Sequence, residues 1–342
     1  MARENLAFLR GAVIKKPLII KKDDAYVYAL ANINVGRAER KVGDGIKYMK
    51  CDNPPIMTRD EKIMREMETW EPNDIVDIKG VISSKHINKG SICPYCGKKN
   101  VFPGAFVFIN PIYAEKIASC ESDEKALEYL VEHREISNQV FLFGTLCRDP
   151  KKITPKRNLI VTQYQIAMNR KYRIPSDPPE IKTDFPWVKS YGDNAVEDRN
   201  RLHVGSEVFI DGFLQARSIN RKAICGQEIT EAGKGIKDSD GNPMIGIGEN
   251  GEELGCGKAY EWKDRAMEIV PYDTEYIGDY YTDEEVEERE AERQAQKLRD
   301  KYGNSSVDLS ELSYGDSDDD EFTEEDLDAG IDEMEKEEED NE

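Results

Sequence analysis

Apolar positions along this chain fall in short, strand-length runs that alternate with polar residues, and the runs come round twice. Asn5-Leu-Ala-Phe-Leu-Arg-Gly11 reads as a strand bent at its glycine, and Asn138-Gln-Val-Phe-Leu-Phe-Gly144 repeats it. Ala25-Tyr-Val-Tyr-Ala-Leu-Ala-Asn and Leu159-Ile-Val-Thr-Gln-Tyr-Gln-Ile-Ala predict a second strand. A third is predicted at Ile46-Lys-Tyr-Met-Lys and at Phe185-Pro-Trp-Val-Lys-Ser-Tyr. A short helix follows each, over about 59–69 and 194–202. A fourth strand leads into Gly80 or Gly212, and a last one ends near Ile117 or Ile277. Outside this pattern, Leu127, Leu130 and Val131 stand at helical spacing within Glu121–Arg134, which predicts a linker helix. Glu284–Lys301 predicts a charged helix with few apolar groups.

The repetition is a duplication. Gly80, Asn88, Ile92 and Cys93 recur 132 residues on as Gly212, Asn220, Ile224 and Cys225. After one insertion the offset becomes 160, and Cys96-Gly97-Lys98 recurs as Cys256-Gly257-Lys258. Five strands with a helix between the third and fourth describe an OB-fold, a small Greek-key barrel. The predicted class is all-β: two tandem OB-fold barrels with short helices, then a charged helix and a disordered acidic tail. The predicted units are a first barrel at 1–118, the linker helix at 119–137 and a second barrel at 138–278 with an insertion at 226–255. The charged helix at 279–302 and the tail at 303–342 complete the chain.

Charge changes this picture more than composition does. The net charge is −21. Residues 303–342 carry 19 acidic groups and one basic group, and residues 273–302 carry 11 and five, which leaves residues 1–272 at +3. A mildly basic body with an acidic tail fits either a nucleic-acid-facing body with an interaction tail or a solubilising tail on an ordinary domain. Within the tail, Leu327, Ile331 and Met334 sit at helical spacing after Phe322, a candidate docking segment for a partner; the bland alternative is a solvated tail. No apolar run of about 18 residues predicts a membrane span, and the first residues do not read as a signal peptide. Seven cysteines, an odd number, fit a reducing cytoplasm better than a disulfide framework. His86, His133 and His203 show no pairing with a nucleophile and no phosphate-binding glycine motif is present, so an enzyme is not expected.

Cys93-Pro-Tyr-Cys96-Gly has the spacing that puts two thiolates on one metal. Cys225 and Cys256 are the matching pair. Either the copies pool all four on one structural zinc, or each pair stays as thiols or binds a metal in a dimer. Cys147 matches Ile14 and reads as a small buried hydrophobe. Asp238-Ser-Asp-Gly-Asn reads as a turn rather than a calcium loop.

The second copy resembles the bacterial and phage single-stranded DNA-binding protein family. The resemblance is carried by Asn138–Pro150, Tyr164–Tyr172, Thr183–Ala195 and Leu202–Arg217 in order, and it reaches 5–117 mainly through the repeat. It implies sequence-independent binding of single strands in replication, recombination or repair, an acidic tail that recruits other proteins, and pairing of two chains into a four-barrel homodimer. Such binding needs aromatic platforms beside cations. Tyr172 and Phe185 fall at the family's aromatic positions, with Trp187 and Lys189 on the face of Phe185. Arg170, Lys171 and Arg173 surround Tyr172, and Arg217 closes the Leu-Gln-x-Arg run. In the first copy, Tyr48 and Lys50 are matched to Trp187 and Lys189, with Lys47 and Lys85 as further cations, and Trp70, matched to Leu202, reads as core. Ile219 and Ile87 stand where the family often has an aromatic. The competing readings are a primosome or recombination mediator acting through protein contacts, and a zinc-ribbon adaptor.

Overall fold

The computed structural model describes residues 4–37, 50–153, 159–172, 174, 183–226 and 255–302. The first copy supplies β1 (Glu4–Val13), β2 (Leu18–Lys22), β3 (Ala25–Gly36), β4 (Cys51–Asp52), β5 (Pro55–Thr58), α1 (Glu61–Glu68), β6 (Asp74–Ile92) and β7 (Lys99–Ser119). After α2 (Asp123–Glu132) the second copy supplies β8 (Asn138–Leu146), β9 (Lys151–Ile153), β10 (Val161–Asn169), β11 (Thr183–Asp184), β12 (Trp187–Tyr191), α3 (Gly192–Arg201), β13 (Glu207–Ile224) and β14 (Ala259–Gly278). The charged helix α4 (Asp283–Tyr302) follows.

Strand pairing closes two rings of five. In the first, β1 pairs β6, β6 pairs β7, β7 runs parallel to β5, β5 pairs β3, and β3 returns to β1. In the second, β8, β13, β14, β12 and β10 do the same, and β12 runs parallel to β14. Ile56 faces Ile109 in the first parallel pair and Val188 faces Ile269 in the second, which are equivalent positions of the repeat. The protein is thus all-β, with two OB-fold barrels. Antiparallel pairing of β1 with β8 fuses them into one sheet path. Ala7 pairs Val140, its own counterpart 133 residues on, so a pseudo-twofold axis passes between them. Asn5 and Asn138 bind the backbone of Ile82 and Leu214 in the same two-bond manner, at 2.8–3.0 Å.

Each barrel turns its hairpin sharply where a bulge re-registers the ladder, at Lys79/Gly80 and Asp211/Gly212. A Cβ on Gly212 would lie 2.3 Å from the Val270 carbonyl oxygen, and one on Gly80 would lie 2.8 Å from that of Asn110. Only glycine allows that approach. Beyond these bulges, β6–β7 and β13–β14 run on as two long hairpin arms. Among the described residues no strand pairing joins one arm to the other.

Three expectations are corrected. The third strand of the first copy is not Ile46–Lys50, most of which lies outside the described residues; the strand equivalent to β12 is Pro55–Thr58. Tyr48 and Lys50 are therefore not the counterparts of Trp187 and Lys189, whose places are taken by Pro55 and Met57. The linker helix buries Ala126 and Leu130 against Ala12 and Ile75 and leaves Leu127 exposed. Cys147 is half-buried and Ile14 exposed; each is the first residue past the end of its strand. Trp70 is fully buried just after α1, as its match to Leu202 requires.

Candidate nucleic-acid interface

Side chains on the facing walls of the two arms and on the open side of the second barrel enclose a groove of about 730 Å³. The first arm contributes Lys89 and Phe106. The second contributes Arg217, Arg221, Trp262 and Arg265, and β12 adds Trp187 and Lys189 to the floor. Five cations face two carboxylates, Asp264 and Glu268, so the groove is net positive. Arg221 and Arg265 are exposed, and Trp187, Phe106 and Trp262 are half-buried. Half-buried rings with an open face and cations at their rim are what base stacking plus phosphate contact requires.

The carboxylates orient the cations. Glu268 takes Lys189 at 2.7 Å and Arg217 at 3.2 Å. Burial pushes the Lys189 ammonium below its ordinary pKa, against the pull of Glu268. Asp264 takes Lys89 from the other arm at 2.6 Å and Arg221 at 2.5 Å. Burial alone would raise the Asp264 carboxyl, but these two cations hold it below the usual range. Trp262 stacks on Phe102 of the opposite arm with ring centroids 5.6 Å apart. The Arg148 guanidinium stands 5.9 Å from the Trp187 ring.

Of the residues named from the sequence, Trp187, Lys189 and Arg217 come together in the groove, though Lys189 is buried at 5 % exposure and serves Glu268. Tyr172 lies elsewhere, at the seam of the two barrels. Its ring is 5.6 Å from Lys79 Nζ and 5.9 Å from Lys171 Nζ, and Lys171 is exposed. Phe185 is 48 % exposed beside Ser84 of the first barrel. Lys85 covers the ring of buried Phe108. Lys50 is half-buried at the start of β4. Tyr48, Lys47, Arg173 and the tail residues Phe322, Leu327 and Ile331 lie outside the described residues, as does the Asp238–Asn242 turn.

Arg170 is not one of a ring of free cations around Tyr172. It is buried and forks onto Asp184, with Nη2 at 2.8 Å from the carboxylate. The first copy repeats the fork: Arg37 holds Asp52 at 2.7 and 3.0 Å. Each aspartate then reaches across the pseudo-twofold axis. Asp184 accepts from the Ser84 N–H at 3.1 Å, and Asp52 accepts from the Ala216 N–H at 2.8 Å, equivalent positions of the repeat. The two Arg–Asp forks are reciprocal latches between the barrels. Sequence reasoning missed Phe106, Trp262, Arg221 and Arg265; the match of aromatic Phe102 to Trp262 at the 160 offset is the signal that could have pointed to the arms.

At the arm tips the four thiols of Cys93, Cys96, Cys225 and Cys256 gather, every sulfur within 4.8 Å of the others. Cys93 to Cys256 is 3.7 Å and Cys96 to Cys225 is 3.5 Å. The two turns are the same structure. Gly97 N–H donates to the Cys93 carbonyl and Gly257 N–H to that of Cys225; Cys93 and Cys225 donate to Lys98 and Lys258. Gly97 and Gly257 both adopt positive φ, at 73° and 68°. The Lys98 N–H aims at the Cys96 sulfur and helps bring that thiol down to about 7; the Lys258 N–H pulls Cys256 the same way, but burial and the three neighbouring sulfurs outweigh it and push Cys256 up to about 11. A Cβ on Gly255 would sit 2.7 Å from the Cys225 sulfur, so the chain approaches the cluster as closely as glycine permits.

No helix among the described residues is long and apolar enough to cross a membrane. No curated protein sequence matches the chain. Among solved structures it is similar to a deletion mutant of the single-stranded DNA binding protein from Thermus aquaticus, at 15% identity and a TM-score of 0.48, covering 83% of this chain and 100% of that one. It is similar also to the wild-type protein from the same organism, at 13% identity and a TM-score of 0.47, covering 82% of this chain and 97% of that one. A family model, the Single-strand binding protein family, matches residues 137–232, from the first residue before β8 past the end of β13. The second barrel thus carries the signature of the Single-strand binding protein family.

Proposed function

We propose that this chain binds single-stranded DNA without sequence preference and does no covalent chemistry on it, holding the strand in the groove between the arms. The observation that supports this is the groove's make-up: three half-buried aromatic rings rimmed by cations, built largely by the barrel that carries the family signature. Bases stack on Trp187, Phe106 and Trp262, and phosphates meet Arg217, Arg221 and Arg265. Tyr172 with Lys171, and Phe185, extend the path over the seam. The role that follows is to protect and organise single strands in replication, recombination or repair, in a reducing cytoplasm. Residues 303–342 recruit other proteins through their charge and through Phe322, Leu327 and Ile331, and two chains pair to present four barrels.

The four thiolates hold one structural zinc. A zinc–sulfur bond of about 2.3 Å in a tetrahedron places sulfurs about 3.8 Å apart, close to the 3.5 and 3.7 Å seen for two pairs.

Tryptophan quenching by oligo-dT of increasing length tests the function and gives the site size. Affinity for oligo-dT should far exceed that for duplex of equal length and fall steeply with salt. Equal affinity for both would leave a mediator acting through protein contacts as the better reading.

A further inference from the structure

We infer that the tetrathiolate centre is a clasp that holds the DNA groove shut, so that metal occupancy sets the affinity for single strands. The inference rests on the proposed DNA groove and adds to it a means of control. Two-stranded ribbons are marginal by themselves, and here two of them project from their barrels with no strand pairing between them among the described residues. Each contact that joins them involves at least one side chain. From the tips inward, the Gly226 N–H donates to Asn100 at 2.8 Å, Phe102 stacks on Trp262, and Lys89 pairs with Asp264.

The tip is where the arms are tied together most strongly. Cys93 and Cys225 are buried there with Ala223 and Tyr260, and Phe102 and Trp262 pack against that cluster. The rings that separate the thiols from the groove therefore belong to both: Trp262 touches the cysteine cluster on one side and lines the groove on the other. Each arm supplies one wall. A cation that binds two thiolates from each arm fixes the distance between Lys89 and Phe106 on one side and Arg221 and Trp262 on the other. Without it the tips are held only by the Asn100 bond, the Phe102–Trp262 stack and the Lys89–Asp264 pair, so they part more readily and the groove loses a wall.

The experiment uses the full chain under reducing conditions. Metal content is measured by elemental analysis; zinc is then stripped with a strong chelator, the chelator is removed, and zinc is returned. Oligo-dT anisotropy and amide hydrogen exchange are read at each stage. The expected result is one zinc per chain and about a tenfold or greater loss of oligo-dT affinity on stripping, reversed by zinc. Exchange should quicken in residues 84–107 and 216–267, with β1 and β8 unchanged. The Cys93→Ser/Cys256→Ser variant should match the stripped protein. Zinc present but affinity within twofold after stripping would overturn the clasp and leave the DNA-binding reading standing. A chain that carries no metal, gives no thiolate-to-cobalt absorption with Co²⁺, or holds its tips by two disulfides would overturn the centre itself. Failure of the zinc-loaded chain to bind oligo-dT would instead remove the DNA-binding reading, and the clasp with it.

Discussion

Replacing Arg170 decides whether the family position it occupies is a DNA contact or a fastening. The side chain is 5 % exposed and that of its partner Asp184 is 1 % exposed. Arg170→Ala removes a forked, charge-assisted pair and leaves a carboxylate facing the Ser84 N–H in a site with little water. Breaking one side of a buried pair costs about 3–5 kcal/mol, a large share of the roughly 5–15 kcal/mol by which a domain is stable. With a urea slope of about 2 kcal/mol/M, the midpoint should fall by about 2 M. Tryptophan emission through a urea series measures it. Arg37→Ala should behave alike, since Arg37 and Asp52 form the equivalent latch. Arg170→Met with Asp184→Leu should regain most of the loss, because a buried pair replaced by apolar groups of similar size is close to neutral. Lys171→Ala, at an exposed cation paired with Glu4, should leave the midpoint unchanged. An Arg170→Ala protein as stable as its parent but poor at binding oligo-dT would refute the latch and restore Arg170 to the DNA surface.

Three further outcomes follow from the geometry. Trp262→Ala should weaken oligo-dT binding by roughly 1–3 kcal/mol, one stacking platform's worth, in a fluorescence or anisotropy titration. Arg265→Ala should lower the slope of log affinity against log salt by about 0.7, since Arg265 is exposed and its guanidinium donates to the Asn53 carbonyl, with no ion pair among the described residues. Burial lifts the Asp198 carboxyl from 3.8 to about 6, so the folded protein holds that proton more tightly than the unfolded chain; stability is full below about pH 4 and declines as pH rises through 6. At about 1.4 kcal/mol per unit the whole decline is about 3 kcal/mol, of which about 2 kcal/mol falls between pH 4.5 and 7.5, and Asp198→Asn should abolish that difference in urea stability.

The duplication was legible because glycines, asparagines and cysteines recur at fixed offsets, and those residues are the ones whose backbone or hydrogen bonds cannot be replaced. Asn5 and Asn138, Gly80 and Gly212, and the two cysteine turns occupy matching places in the fold. The third strand of the first copy was hidden by its composition: Asn53-Pro54-Pro55 reads as a break, whereas Ile46–Lys50 alternates like a strand. Holding the offset at 132 would have matched Asp52 to Asp184 and Ile56 to Val188, and so revealed both the strand and the latch. Arg170 was misread for a related reason. An arginine between polar residues looks solvated, and only its recurrence as Arg37 shows that it answers an aspartate.

That contrast separates holding from binding in this molecule. Residues equivalent in both copies, the asparagine anchors, the Arg–Asp forks and the cysteine turns, lie along the pseudo-twofold axis or at the meeting of the arms, where symmetry makes each half complete the other. The groove breaks the symmetry. Where the second barrel offers Trp187 and Lys189, the first has Pro55 and Met57, which carry neither an aromatic ring nor a charge; where the second arm has Arg265, the first has Ala105. A duplicated binder needs its shared residues to keep the halves together, and only one half then has to retain the platforms. On that reasoning, transplanting the pair as Pro55→Trp with Met57→Lys should raise oligo-dT affinity at the existing groove, because Pro55 already lines it and the new ring would face the same strand. An unchanged affinity would mean that the strand does not pass the groove wall on which Pro55 stands.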